Sequence, residues 1–363
     1  MADKELLLAI ETSCDETAAA LVKVEAGRLR LVSNVVATQH EFHERFGGIV
    51  PEIAARRHAE VLQAIIAEAL ERAGAGFADL NAVAVVNGPG LIGSLVVGVA
   101  AAKAIALARE IPLIGVNHLE AHIYSAFLPE AGEPPNFPLL ALIASGGHTH
   151  LVLMSEHGRF EVVGRTRDDA AGEAFDKAGK LLGLEYPGGP ALAALADSTK
   201  ETGVEFPIAD IQPPKPPQRA WDFSFSGTKT ALARHVRELS VEQVEKQKTA
   251  LAAGFQSAVV RALVERTFSA AEELEVESLV VVGGVACNQR LRDELSARAR
   301  EVRIGLHIPP PWLCTDNAAM VASAAYHKVT AKTSAGAGTP ALQVPPDRLD
   351  LDCDSSLPLR SWG

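Results

Sequence analysis

The sequence predicts an α/β protein of two related lobes, and three observations carry that prediction. Short apolar runs alternate with helical patterns through the first third, one strand-turn-strand motif occurs twice, and 363 residues exceed what one core usually holds. The composition, 48% hydrophobic and 22% charged, is that of a globular chain.

Residues 6–10, 18–24 and 30–37 read as consecutive strands, the first two joined by a tight polar turn. Pro51 stands where a helix can begin. Val61, Leu62, Ile65, Ile66, Ala69 and Leu70 then recur on one face until Gly74 stops the pattern. A strand over 82–86, a helix from about Ser94 to Glu110 and a strand over 112–116 complete an order βββαβαβ. The opening then recurs: placing Leu140 and Ala141 on Leu8 and Ala9 also sets Ser145 on Ser13 and Thr149 on Thr17. The expected boundary lies in the Pro- and Gly-rich loop 129–138, giving lobes of 1–133 and 134–332. A stretch with five prolines, 206–219, interrupts the second lobe, and 333–363 reads as a loose extension without chemistry.

The acidic amino terminus and brief apolar run do not make a secretory signal, and no apolar stretch is bare enough of turn signals to read as a membrane span. The expectation is therefore a soluble cytoplasmic protein without a membrane partner. Four cysteines without CxxC spacing fit reduced thiols. A net charge of −11 argues against generic adhesion to nucleic acid, since that affinity rests on neutralising phosphates. A basic cluster of His40, His43, Arg45, Arg56, Arg57 and His58 offers either a local RNA patch or a solvated helix face.

Two turns with small polar tips, Glu11 to Thr17 and Ser145 to Thr149, place amides and hydroxyls close together. Each is either an ordinary turn or an anion cradle. A third element, an apolar strand entering Gly283-Gly284 before a helix, suits a ribose or base, with Asn288 offering donor and acceptor; the same pattern also occurs for packing alone. Gly88-Pro89-Gly90-Leu91-Ile92-Gly93 is a literal GxGxxG, but it does not open its domain, and Glu110 precedes the next strand where a ribose-binding acid should end it. A dehydrogenase is disfavoured.

His118 and His122 are four apart after a strand, so both imidazoles share one helix face and can reach one ion. Asp316, following Thr315 at a helix start, is the candidate third ligand; a metal-free histidine pair is the alternative. Glu120 sits midway, where neither HExxH nor HxxEH places its acid, which disfavours a metalloprotease.

Together ETSCDET (11–17), GGIVPE (47–52), GPGLIGSL (88–95), NHLEAH (117–122), SGGHT (145–149), DDAAGEAFDK (168–177), YPGGP (186–190), FSFSGTKT (223–230), GGVACN (283–288) and CTDN (314–317) resemble the TsaD family, also called YgjD or Gcp. The resemblance spans nearly the whole chain. It implies the duplicated actin-like, Hsp70-type (RNase H-like) fold with a nucleotide cleft between the lobes. It also implies transfer of a threonylcarbamoyl group from threonylcarbamoyl-AMP to N6 of the tRNA adenosine beside the anticodon, in tRNAs reading codons that begin with A. Partners would be tRNA, an inactive TsaB-like paralogue, a small TsaE-like ATPase and a TsaC-type synthase that makes the donor.

By the same resemblance, His118, His122 and Asp316 would hold one divalent ion, iron or zinc. Ile143, Ala144, Ser145, Gly146, Gly147, Asp176, Gly189 and Asn288 would hold the donor, and Asp15 and Glu16 would deprotonate the attacking amine or position substrate. The family usually has Val where this chain has Ala144, a small change on a loop contacted through its backbone. A noncatalytic nucleotide-binding paralogue and a small-molecule kinase of the same superfamily are the alternatives.

Overall fold

The computed structural model describes residues 5–25, 27–199, 204–209, 221–333 and 349–362. The first lobe opens with β1 (Glu5–Glu11), β2 (Glu16–Glu25) and β3 (Arg28–Thr38), followed by the short α1 (His40–His43) and the long α2 (Pro51–Ala73). Then come β4 (Ala82–Gly88), α3 (Ile92–Arg109), β5 (Leu113–Asn117) and α4 (His118–Tyr124). The second lobe repeats the theme with β6 (Leu139–Ala144), β7 (Thr149–Glu156), β8 (Arg159–Arg165), α5 (Ala171–Leu181) and α6 (Gly188–Asp197). It continues with α7 (Ser226–Glu238), α8 (Val241–Glu273), β9 (Ser278–Val282), α9 (Gln289–Val302), β10 (Gly305–His307), α10 (Pro311–Cys314) and α11 (Ala318–Thr333).

The two sheets have the same plan. Strand order is β3-β2-β1-β4-β5 in one and β8-β7-β6-β9-β10 in the other. In each, an antiparallel meander joins parallel strands at the central β1 or β6. The duplication read from the sequence holds to the residue: Leu8 faces Leu21 while Leu140 faces Leu153, so aligning Leu140 on Leu8 carries across the whole hairpin. This is the actin-like arrangement.

Alternation along the strands assigns the cores. Leu8 and Ile10 of β1 pack outward with Leu62, Ile66 and Val99 of α2 and α3, whereas Leu7 and Ala9 pack inward with Ala141, Ile143, Val280 and Val282 of the second sheet. Covered on both faces, these strands read as unbroken apolar runs. Truncating a side chain such as Leu8 to Ala removes about 2–5 kcal/mol. Helix α2 starts with Pro51 at its first turn and stops at Gly74, whose φ of 62° suits glycine. Helix α3 starts at Ile92, two residues before the expected Ser94, because Gly90 and Leu91 make the turn into it. Its 18-residue mean hydropathy of 1.7 meets the length and composition of a membrane span; here it packs on α2 and β4.

The lobes are not divided by one cut. Helix α11, counted from sequence within 134–332, packs against β1, β2 and β3 of the first sheet and against α4. Nor do residues 349–362 hang loose. Asn87 donates its side-chain amide to the Asp352 carbonyl at 3.1 Å, and Trp362 donates its backbone N–H to the Gly158 carbonyl at 2.8 Å, so the segment runs from one lobe to the other. Its sequence lacks periodicity because it is held by scattered backbone and side-chain contacts and forms no helix or strand. Most of the proline-rich stretch 206–219 lies outside the described residues.

Candidate active site

The parallel strands β1, β4 and β5 end at Glu11, Gly88 and Asn117, and β6 and β9 end at Ala144 and Val282. The candidate residues cluster at these carboxyl ends, the usual place for a site in an α/β sheet. Asn117 caps α4 by accepting the backbone N–H of Leu119 at 2.9 Å, which fixes where the helix begins and which way His118 and His122 point. Both are buried, with ring centroids 4.6 Å apart.

Asp316, in the loop between α10 and α11, meets them. Its Oδ1 lies 3.1 Å from His122 Nε2 and 3.7 Å from His118 Nε2. Two ligands about 2.1 Å from one tetrahedral ion stand about 3.4 Å apart, so these spacings suit a shared cation. His122 adds a further observation: it is fully buried, its Nδ1 has no hydrogen-bond partner, and its Nε2 meets the Asp316 carboxylate as an ion pair. A buried imidazole satisfied at one nitrogen by a carboxylate alone is costly unless something further coordinates it. Two imidazoles and a carboxylate are a donor set for zinc or iron.

Glu11 completes the group. Its Oε2 accepts from His118 Nδ1 at 3.2 Å, and Ser13 Oγ lies 3.1 Å from the same nitrogen. A proton held on Nδ1 leaves the Nε2 lone pair facing Asp316, the usual way a carboxylate orients a ligating histidine. Burial disfavours the charged form of His118, but Asp316 and Glu11 outweigh it and raise the pKa to about 9. For Asp316 burial works the other way, and His118 and His122 overcome it to hold the carboxyl well below the usual range. The site is built to attract positive charge.

A second cluster joins Asp15, Glu16 and His40, whose Nε2 lies 3.7 and 3.6 Å from the two carboxylates. Burial first, then Asp15 and Asp316, raise the Glu16 pKa well above normal. The basic cluster around it is divided. His43 and His58 are buried, His58 bonding Thr17 and the Cys14 carbonyl, while Arg57 lies over the Phe42 ring, leaving Arg45 and Arg56 exposed.

On the other side of the cleft, Ile143 and Ala144 are buried in β6, and Ser145 turns the chain, its N–H donating to the His148 carbonyl at 2.8 Å. Gly146 and Gly147 are exposed, with nothing near the space a Cβ would fill. Gly283 has φ 92°, and a Cβ there would meet the Ala144 carbonyl at 2.4 Å, so this glycine locks the turn onto β6. Asp176 accepts the Gly189 N–H at 2.8 Å; burial raises its pKa. Asn288 caps α9 through the Leu291 N–H at 2.9 Å and donates to Gln256 at 2.8 Å, so one lone pair and one hydrogen of its amide already serve the fold.

The GxGxxG glycines serve packing. A Cβ at Gly90 would stand 2.5 Å from the Ser13 carbonyl, and the Leu91 N–H donates to that same oxygen at 2.8 Å. The loop thus buttresses the first hairpin turn. Sequence reasoning missed Glu11 and His148. A carboxylate ending an otherwise apolar strand was the available signal for Glu11. His148, 6.3 Å from the His118 ring, is kept neutral by burial and by His118, its pKa lowered to about 3.

Comparison with known proteins gives the family. The sequence model described as TsaD, tRNA N6-adenosine threonylcarbamoyltransferase, matches residues 30–323. A protein of that description from Symbiobacterium thermophilum is 51% identical over 322 residues, covering 89% of this chain and 91% of the relative. Another, from Halalkalibacterium halodurans, is 48% identical over 350 residues, covering 96% and 98%. Among solved structures, full-length HypF in its phosphate- and nucleotide-bound form superposes with a TM-score of 0.58 at 14% identity, over 93% of this chain and 56% of that one, a likeness of fold alone. The family match and these relatives place the chain in the TsaD family of tRNA N6-adenosine threonylcarbamoyltransferases.

Proposed function

We propose that the chain transfers the threonylcarbamoyl group of threonylcarbamoyl-AMP to N6 of the adenosine adjacent to the anticodon, in tRNAs reading codons that begin with A, and releases AMP. The observation that carries this reading is the convergence of buried His118 and His122 on Asp316, their ligand atoms within 4.8 Å of one another, set between two hairpin turns of duplicated lobes. His118, His122 and Asp316 would hold one divalent ion, iron or zinc. When bound, such an ion supplies a Lewis acid that polarises a carbonyl oxygen and orients its carrier.

The chain's own residues do the rest. The Ser145-Gly146-Gly147 turn would present its open backbone to the adenylate phosphate, while Asp176, Gly189 and Asn288 would grip the ribose or base. The lone pair of N6 attacks the carbamoyl carbon, the bond from that carbon to the phosphate oxygen breaks, and AMP leaves with the electron pair. N6 must then lose a proton. Glu16 is suited to take it, because a raised pKa brings a carboxylate closer to the working range of a general base. Asp15, beside it, helps to hold the acceptor.

Around this core the reading places a cytoplasmic enzyme, a TsaC-type synthase supplying the donor, a TsaE-like ATPase and a TsaB-like paralogue. The outer face of α3, where Ile92, Val96 and Leu107 are exposed, is the surface it gives to that paralogue. Mass spectrometry of nucleosides from tRNA incubated with the chain, donor and partners should show the modified adenosine. Exchanging His118→Ala should remove bound metal and at least about a hundredfold of transfer together; full transfer by a metal-free variant would refute the role.

A further inference from the structure

Helix α4 has two working faces. At about 100° per residue, His118 and His122 point to one side, while Glu120, Tyr124 and the capping Asn117 point to the opposite side. That second face is covered by the segment 349–362, which lies beyond the region matched by the family model. Asn117 donates its side-chain amide to the Leu357 carbonyl at 3.1 Å, so the residue that caps α4 is itself tied to the tail. Trp362 donates Nε1–H to Glu120 Oε1 at 3.0 Å, and its ring stacks on Tyr124 with centroids 5.5 Å apart and planes 13° from parallel. The tail itself is anchored elsewhere, by Asp354 N–H to the Asn87 carbonyl at 3.0 Å and by Trp362 N–H to the Gly158 carbonyl at 2.8 Å.

We propose that the carboxy-terminal segment is a brace for the ligand-bearing helix, with Trp362 as the positioning residue that holds His118 and His122 in register with Asp316. The segment grips α4 at its cap, its middle and its last turn, all from the side away from the cleft. A seven-residue helix has too few internal hydrogen bonds to hold its own direction. Asp316 comes from a distant part of the chain, so a small tilt of α4 changes the spacing between ligands. Glu120 thereby acquires a role: a buried acid on the far face of the helix that takes the indole N–H of the tail.

This inference rests on reading His118, His122 and Asp316 as ligands of one cation. Zinc alone, titrated into the full chain against a competing chelator, should bind the Trp362→Ala variant about tenfold more weakly than the wild type. Trp362→Phe keeps a ring on Tyr124 and loses only the bond to Glu120, so it should fall between them. Coupling is reciprocal, so zinc should slow hydrogen exchange of 349–362 in the wild type. A tail that merely stabilised the lobes would not respond to the ion. Equal zinc affinity in all three proteins, or exchange at 349–362 indifferent to zinc, would overturn the brace. A wild-type chain that bound no zinc would instead strike the ligand assignment, and the brace would fall with it.

Discussion

The two hairpin turns share one strand frame and have opposite surroundings. In the first lobe the start of the turn after β1, Glu11 to Ser13, is buried against its neighbours. Gly90 lies under the Ser13 carbonyl, a Cβ at Gly98 would stand 2.3 Å from Thr12 Oγ1, and Glu11 and Ser13 both reach His118. In the second lobe Gly146 and Gly147 face open space. Duplication supplied two equivalent turns; packing then tied Glu11 and Ser13 at the start of one to the helix that carries His118, and left the backbone of the other open at Gly146 and Gly147. The lobes are thus alike in topology and unlike in task.

The largest effect should come from the filled turn. Glu11→Gln keeps the size of the side chain but removes the charge that fixes the His118 proton on Nδ1. Zinc affinity should fall about 10–100-fold, measured by chelator competition, with the fold intact by circular dichroism. Unchanged affinity would mean that Ser13 alone orients the ring. Next in size is Gly90→Ala, whose methyl must displace the Ser13 backbone, since a carbonyl at 2.5 Å has no flexible end to move. A loss of about 1–3 kcal/mol in denaturant unfolding is expected. A neutral result would show that the first turn is looser than its contacts imply, and the contrast between the lobes would weaken.

Much of this was legible in the sequence, and the limits have physical causes. Strands of both lobes stood out because burial on two faces makes them unbroken apolar runs, and the repeated Leu-Ala, Ser and Thr positions marked the duplication. The histidine pair was visible because helical spacing fixes which side chains share a face. Other features were hidden. The GxGxxG letters describe close backbone approach without saying to what, and here the approach is to Ser13. The partnership of Glu11 with His118 joins the end of one strand to a helix far along the chain, which no local period reports. The tail was hard to read because Asp352 and Leu357 bind through their carbonyls, which every residue possesses, and its indole contact, Trp362 on Glu120 and Tyr124, joins distant parts of the chain.

The smallest expected effect falls at the open turn, and it is the sharpest test of the contrast. A Cβ at Gly147 meets nothing within 4 Å, and the residue is not among those with positive φ, so alanine fits its backbone without strain. Replacing such a glycine narrows the unfolded ensemble, so Gly147→Ala should leave stability unchanged or raise it by up to about 1 kcal/mol. The same methyl stands where the adenylate phosphate would approach the backbone. A roughly tenfold rise in KM for the donor, about 1.4 kcal/mol, is therefore expected while the melting temperature holds or climbs. Since the fold gains or stays level, any loss of transfer in this variant reports on ligand contact alone. A variant with wild-type KM would mean that the phosphate is held elsewhere, and Gly284, also exposed and open beyond its missing Cβ, would become the position to exchange.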